Sequence, residues 1–232
     1  MKKISIALDG PAGAGKSTLA KKVAGAFGLI YVDTGALYRS IGLFAFRNNV
    51  ASTDSIGVAA LLSSIKLDMY YDEDGVQRMQ LCGEDVTAAI RMPEISAYAS
   101  DVSAMPEVRE FLLSMQRDMA VKYNVIMDGR DIGTVVLPNA GLKIFITADA
   151  DARAKRRFLE LSEKGIESSF EDVKNAMCIR DKNDSEREAA PLMAAEDAIL
   201  LDTTELDFDE SFKALCDLIK KRFDIDYGNC IR

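Results

Sequence analysis

Histidine is absent from all 232 residues. That excludes Ser-His-Asp and Cys-His nucleophilic catalysis, H-E-x-x-H zinc sites and imidazole proton shuttles. Any chemistry has to be carried by Lys, Arg, Asp, Glu, hydroxyls, backbone amides or a metal held by oxygens. Cysteine is scarce: Cys82, Cys178, Cys216 and Cys230 occur, none at C-x-x-C spacing. This argues against a disulfide framework or a zinc ribbon and for reduced thiols, some of them in the core. No apolar run approaches the roughly 18 residues of a membrane-spanning helix. Met1-Lys2-Lys3-Ile4 passes straight into a strand pattern, without the apolar stretch and cleavage site of a signal peptide. The expectation is a soluble, cytoplasmic protein with no membrane partner. A basic excess is also missing, since the net charge is −8 and the pI is near 4.8. That argues against a long footprint on a nucleic-acid polymer, while leaving room for a local basic pocket around a small polyanion. There is no internal repeat, low-complexity tract or long linker.

What is present is ordinary globular composition, 48% apolar and 28% charged, enough for one sizeable core. Residues 4–8 alternate and end at Asp9-Gly10, which reads as a strand. Residues 17–27 have helical spacing, with Leu19, Val23 and Phe27 on one face. A short strand is expected at 29–32 and helices at 36–46 and 56–64. Runs 67–71 and 76–81 flank Asp72-Glu73-Asp74-Gly75, a strong hairpin signal that breaks the β-α alternation and reads as an inserted β lobe. Helices follow at 93–104 and 106–122. Buried strands are expected at 124–127, just before Asp128-Gly129, and at 142–147. A charged helix is expected at 151–164, another helix near 170–184 and a last strand at 198–201. The final helix places Phe212, Leu215, Cys216, Ile219 and Phe223 on one face. Strands separated by helices predict a parallel sheet with helices on both faces, whose ligands bind beyond the carboxyl ends of the strands.

The motifs fall there. Gly10-Pro11-Ala12-Gly13-Ala14-Gly15-Lys16-Ser17 fits G-x-x-x-x-G-K-[ST], between a strand and a helix as that pattern requires. Glycines let the backbone wrap a phosphate and point amides inward, and the next helix offers its N-terminal dipole. Lys16 brings a point charge to the β/γ phosphates and Ser17 an oxygen to Mg²⁺. Asp128 is the natural second acidic group for the metal region. The motif establishes nucleotide binding and leaves two classes open: an enzyme that phosphorylates a small acceptor, or a switch or motor NTPase. The guanine-reading N-K-x-D of a GTPase is missing, since Asp181-Lys182-Asn183-Asp184 has the wrong order.

A second polyanion site separates the two classes. Arginines with acidic neighbours recur in Asp33-Thr34-Gly35-Ala36-Leu37-Tyr38-Arg39, in Gly129-Arg130-Asp131 and in Arg180–Arg187. Arg180, Asp184 and Arg187 stand at i, i+4 and i+7, one face of a helix. Forked guanidiniums suit a phosphate, and a carboxylate among them suits ribose hydroxyls.

The chain resembles bacterial cytidylate kinases over nearly its whole length. The likeness rests on 9–18, 33–39, Cys82-Gly83-Glu84-Asp85-Val86, 180–192 and above all Asp128-Gly129-Arg130-Asp131-Ile132-Gly133-Thr134-Val135-Val136. It implies a three-layer α/β P-loop domain with an acceptor lobe over about 36–122 and a lid over about 150–187. The reaction it implies is transfer of the γ-phosphoryl group of ATP to CMP or dCMP by a monomer, with Mg²⁺. For ATP it implies Gly10, Pro11, Ala12, Gly13, Ala14, Gly15, Lys16, Ser17 and Thr18, with Arg153 and Arg157 in the lid. For CMP it implies Arg39, Arg130 and Arg187 at the phosphate and Arg180 and Asp184 at phosphate and ribose. Ser100, Arg109 and Asp131 would read the cytosine. Thr34 stands where many relatives have serine and keeps the hydroxyl. Lys16, Arg130, Arg180, Asp184 and Arg187 would be the catalytic group. Lys155 and Arg156 read as a solvated face.

Overall fold

The structure, a computed structural model, describes residues 3–163 and 165–225, so Met1, Lys2, Lys164 and Cys230 lie outside the described residues. In chain order the elements are β1 (Ser5–Asp9), α1 (Lys16–Phe27), β2 (Ile30–Asp33), α2 (Thr34–Arg47), α3 (Ser55–Leu62), β3 (Leu67–Tyr71), β4 (Gln77–Leu81), β5 (Glu84–Asp85), α4 (Pro93–Val102), α5 (Pro106–Lys122), β6 (Val125–Gly129), β7 (Leu142–Thr147), α6 (Ala150–Glu163), α7 (Phe170–Glu186), β8 (Ile199–Asp202) and α8 (Phe208–Phe223). A 3-10 turn covers Ala89–Arg91 and a π turn Ile132–Val136. The chain divides into two compact units, Met1–Tyr31 with Tyr123–Arg232, and Val32–Lys122.

The first unit is built on a five-stranded sheet of order β2-β6-β1-β7-β8. β1 runs parallel to β6 and β7, and β7 parallel to β8. The register sets Leu8 beside Asp128 and Ile144, and Asp9 beside Gly129 and Phe145. The phosphate motif and Asp128-Gly129 therefore leave the sheet at the same edge. Central strands buried on both faces read as near-continuous apolar runs, as Ile6-Ala7-Leu8 and Val125-Ile126-Met127 do. Leu19, Val23 and Phe27 of α1 pack with Leu215, Cys216 and Ile219 of α8 over Ile6, Leu8, Ile126, Ile144 and Ile146. Each such side chain removed from water contributes about 1.5–3 kcal/mol. Asp207 and Glu210 form a capping box that starts α8. A smaller cluster of Ala154, Val173 and Met177, edged by Phe158 and Phe170, joins α6 to α7.

The second unit has its own core around Leu37, Ile41, Leu43, Met79, Ile90, Ile95 and Leu112. β3 and β4 pair antiparallel, with Asp72 Oδ1 accepting the amides of Asp74 and Val76 and Gly75 at φ 73°. A left-handed residue there is what the Asp-Gly signal predicts. The two-residue β5, which adds an antiparallel edge to β4, carries no alternation of its own and was not expected from the sequence.

Candidate active site

The phosphate motif folds as its residue types dictate. Gly10 sits at φ 147°, where a Cβ would run into the carbonyl oxygen of Ile146. Gly13 sits at φ 71°, with the Arg153 carbonyl 3.2 Å from where its Cβ would lie. The loop delivers Lys16 and Ser17 to the first turn of α1. The Ser17 hydroxyl donates to Asp128 Oδ2, and the Tyr31 hydroxyl donates to Asp128 Oδ1 at 3.1 Å. Two hard oxygens thus meet at the mouth of the loop, a donor set that suits Mg²⁺, which takes one or two protein oxygens and completes its shell with phosphates and water. Lys16 is buried and folds back to donate to the Pro11 carbonyl at 2.6 Å. Burial pushes its pKa well below the usual lysine range, helped by Arg130 and Arg180 and opposed by Asp128 and Asp9.

Helices α6 and α7 reach this loop. Asp181 Oδ1 accepts the Ala12 amide at 3.0 Å, and its other oxygen pairs with Arg153. Arg153 also donates to Ala12 O at 2.9 Å and to Ala148 O at 2.8 Å, so it is buried and tied to the loop backbone. Arg157 instead forms an ion pair with Glu160 at 2.8 Å. Lys155 is exposed, but Arg156 is not the solvated residue the sequence suggested. Its guanidinium donates to the Thr203 carbonyl at 2.5 Å, the Leu206 carbonyl at 3.3 Å and Thr203 Oγ1 at 3.2 Å, tying α6 to the turn after β8. Three acceptors in a folded loop outcompete water because they are already aligned.

Beyond β6, Arg130 and Asp131 stand on a turn that runs into the π turn. Arg130 Nε donates to Asp184 Oδ2 at 2.8 Å. Arg187 reaches Asp131 Oδ1 at 3.4 Å and Asp184 Oδ1 at 3.9 Å, and all three side chains are nearly fully buried. Arg187 does not share a helical face with Arg180 and Asp184 as the spacing suggested. α7 ends at Glu186, and Arg187 is extended at φ −64°, ψ 141°, with its Nε donating to the Ala190 carbonyl. Ala190 takes φ 52°, and the Leu192 amide returns to the Asp184 carbonyl at 2.7 Å. Thus Arg130, Asp131, Asp184 and Arg187 form one network, and Arg180 adds its field at Lys16.

Asp9 lies under this turn. Burial pushes its carboxyl up to about 6, against the lowering effect of amide hydrogen bonds from Gly133 and Ile132 and with a further rise from Asp131. A folded pKa above the unfolded 3.8 means the folded state holds the proton longer, so this group's stabilising share is full at low pH and is lost as pH rises through about 6. Asp9→Asn has no such titration. The stability gap, wild type minus variant, should therefore shrink by about 1.4 kcal/mol between pH 5 and pH 7.5. Urea melts of both proteins at the two pH values measure it, and a gap that stays constant would mean an ordinary carboxyl.

In the second unit, Asp33 caps α2 through the Ala36 amide and pairs by one oxygen with both Arg39 and Arg91 at 2.8 Å. Burial pushes the Asp33 carboxyl up, but Arg39, Arg91 and the Ala36 amide outweigh it and hold the pKa below the usual value. Gln77 of β4 returns both its amide groups to the Asp33 backbone, at 2.8 and 3.3 Å. Thr34 opens α2 and is buried. Ser100 lies in α4, and Arg109 of α5 donates to the Ser103 carbonyl at 3.0 Å with its guanidinium over the Tyr38 ring.

Sequence reasoning named no role for Asp9, Arg91, Gln77 or Asp181. Asp9 and Asp33 lay inside quoted motifs and could have been weighed as anchors. Arg91 and Gln77 have no period or motif to mark them. Cys82 and Cys178 are exposed thiols and Cys216 lies in the core.

The sequence profile of the cytidylate kinase family matches residues 6–221. A relative named cytidylate kinase from Caldicellulosiruptor bescii is 52% identical over 221 residues, covering 95% of this chain and 97% of its own. Another of that name from Lactobacillus johnsonii is 48% identical over 219 residues, covering 94% and 95%. Among solved structures, an uncharacterized protein from Eubacterium ventriosum aligns with a TM-score of 0.51 at 15% identity, over 95% of this chain and 100% of that one, a likeness of fold alone. With the profile spanning nearly every element and relatives at half identity over nearly full length, the chain belongs to the cytidylate kinase family.

Proposed function

We propose that this protein transfers the γ-phosphoryl group of ATP to CMP or dCMP, giving ADP and CDP or dCDP. The observation that carries this is the pairing, within one unit, of a complete phosphate loop with the buried Arg130–Asp131–Asp184–Arg187 network. A buried network of two arginines and two carboxylates is poised to exchange internal ion pairs for a phosphate and sugar hydroxyls.

We assign the loop amides from Gly10 to Thr18 and Lys16 to the phosphates of ATP, with Arg153 and Arg157 on the lid of about 150–187. Ser17 would hold Mg²⁺, which neutralises charge on the β and γ phosphates when bound. To the acceptor phosphate and ribose we assign Arg39, Thr34, Arg130, Arg180, Asp184 and Arg187, and to its base Ser100, Arg109 and Asp131. The compact unit Val32–Lys122 would be the acceptor lobe. A monophosphate is already largely dianionic near neutral pH, since its second pKa lies near ~6. It needs no general base, which suits a chain without histidine. Catalysis is then alignment and charge neutralisation by Lys16, the arginines and the metal.

An ionised Asp131 accepts from the cytosine amino group, whereas the uracil carbonyl would set two acceptors face to face. CMP and dCMP should exceed UMP in kcat/KM by at least roughly tenfold, the cost of one charge-assisted hydrogen bond. A coupled ADP assay across CMP, dCMP, UMP, AMP and GMP tests this. Equal use of UMP would favour a UMP/CMP kinase, and no stimulation by any of the five would end the kinase reading.

A further inference from the structure

We propose that Asp9 is a positioning residue for the acceptor nucleotide, clamping the turn that carries Arg130 and Asp131 through the amides of Ile132 and Gly133. The inference rests on the assignment of Arg130 and Asp131 to CMP. Asp9 closes β1, immediately before Gly10. Its side chain reaches 123 and 124 residues along the chain: Oδ1 accepts the Ile132 amide at 2.8 Å and Oδ2 accepts the Gly133 amide at 2.7 Å. The charged groups that face it are Asp131 and Lys16.

The two ends of the turn are held by one residue. On the near side, the backbone of Asp9 is in register with Gly129 in the parallel ladder. On the far side, its carboxylate holds Ile132 and Gly133. Only Arg130 and Asp131 lie between, so their backbone has little freedom left. The π turn adds a second restraint, since the Asp131 carbonyl accepts the amides of Val135 at 2.9 Å and Val136 at 3.2 Å. A carboxylate is the side chain that fits, because it offers two equivalent acceptors to two parallel amides, while an asparagine offers one acceptor and turns a donor toward the other amide. Keeping a carboxylate buried without a bonded cation is costly, and a simple strand end has no need of one. Its use here is geometric: Arg130 must meet Asp184 and Asp131 must meet Arg187, and a shift of about 1 Å at such a site costs on the order of a hundredfold in rate.

The test uses the full-length enzyme with MgATP and either CMP or UMP, in the wild type and in Asp9→Asn. Gly133→Ala is the second variant. Its Cβ would lie 3.3 Å from Asp9 Oδ2 and 3.2 Å from Lys143 Cδ, displacing the carboxylate without touching the phosphate loop. Amide exchange over residues 129–136 is read beside the kinetics. The expected result is exchange at Ile132 and Gly133 at least about tenfold faster, and KM for CMP raised about tenfold or more. The CMP-over-UMP preference should narrow in both variants, and KM for ATP should stay within about twofold in Gly133→Ala, which keeps the Asp9 charge. A loss of folded protein alone would scale all rates together and leave KM values and the CMP:UMP ratio unchanged, and that pattern overturns the proposal. So does unchanged exchange in the segment in whichever variant folds, or a CMP KM that does not move. Failure of the activity reading shows separately, in a wild-type enzyme that phosphorylates no cytidylate.

Discussion

Lys16→Ala should lower kcat by at least about a thousandfold while leaving the fold intact. In the assignment proposed above, Lys16 is the cation that the phosphate loop presents to the β and γ phosphates, and an apolar methyl cannot replace it. Its amine is tucked against the Pro11 carbonyl at 2.6 Å, inside a shell where Arg130 and Arg180 repel its charge and Asp128 and Asp9 attract it. Such a buried, depressed lysine gains most when a polyanion arrives, because the phosphate replaces a weak carbonyl contact with a full charge. The gain grows as charge shifts toward the leaving oxygen, so its loss falls on kcat as well as on ATP binding. The fold does not depend on it. α1 is held by Leu19, Val23 and Phe27 in the core and ended by Gly28 in the left-handed conformation, and alanine is the best helix former. The measurement is ADP production with CMP, alongside circular dichroism and a thermal melt. Undiminished turnover by a natively folded variant would remove Lys16 from the catalytic group.

The features legible in the sequence are those with a local rule behind them. The glycines of the phosphate loop announce positive φ, and Gly10, Gly13 and Gly15 have it. The 3.6 period placed Leu19, Val23 and Phe27, and the same rule placed Leu215, Cys216 and Ile219. Asp74-Gly75 marked the hairpin turn. What stayed hidden is long-range pairing, which leaves no spacing to read. Asp9 meets Ile132 and Gly133 across more than a hundred residues. Asp33 gathers Arg39 and Arg91 because the chain folds back over residues 48–90. Arg156 looked like one of several charges on an outward helix face, yet the turn at Thr203 and Leu206 supplies three acceptors. The Arg180–Asp184–Arg187 spacing suggested one shared helical face, which the structure does not give. The helix stops before Arg187, and Arg130, far away in sequence, is the closer partner of Asp184.

Asp131→Asn should weaken use of CMP and narrow the preference for CMP over UMP. Asp131 is buried and pairs with Arg187 at 3.4 Å, and as a carboxylate it can only accept. A pure acceptor favours the cytosine amino group and opposes the uracil carbonyl. Asparagine can turn either an oxygen or an NH₂ toward the base, so it accommodates both. Losing one charge-assisted hydrogen bond costs on the order of 1.5–3 kcal/mol, roughly tenfold to over a hundredfold in kcat/KM for CMP. For UMP the loss is smaller, or the efficiency rises, since a repulsion has been removed. The competing view is that Asp131 only holds Arg187 in place. The substitution would then disturb a phosphate-binding arginine, and phosphate is common to both acceptors. CMP and UMP efficiencies would fall by the same factor. Measuring kcat/KM for both acceptors in the variant separates the two, because a change confined to phosphate binding leaves their ratio where it was. An unchanged ratio would leave base reading to Ser100 and Arg109.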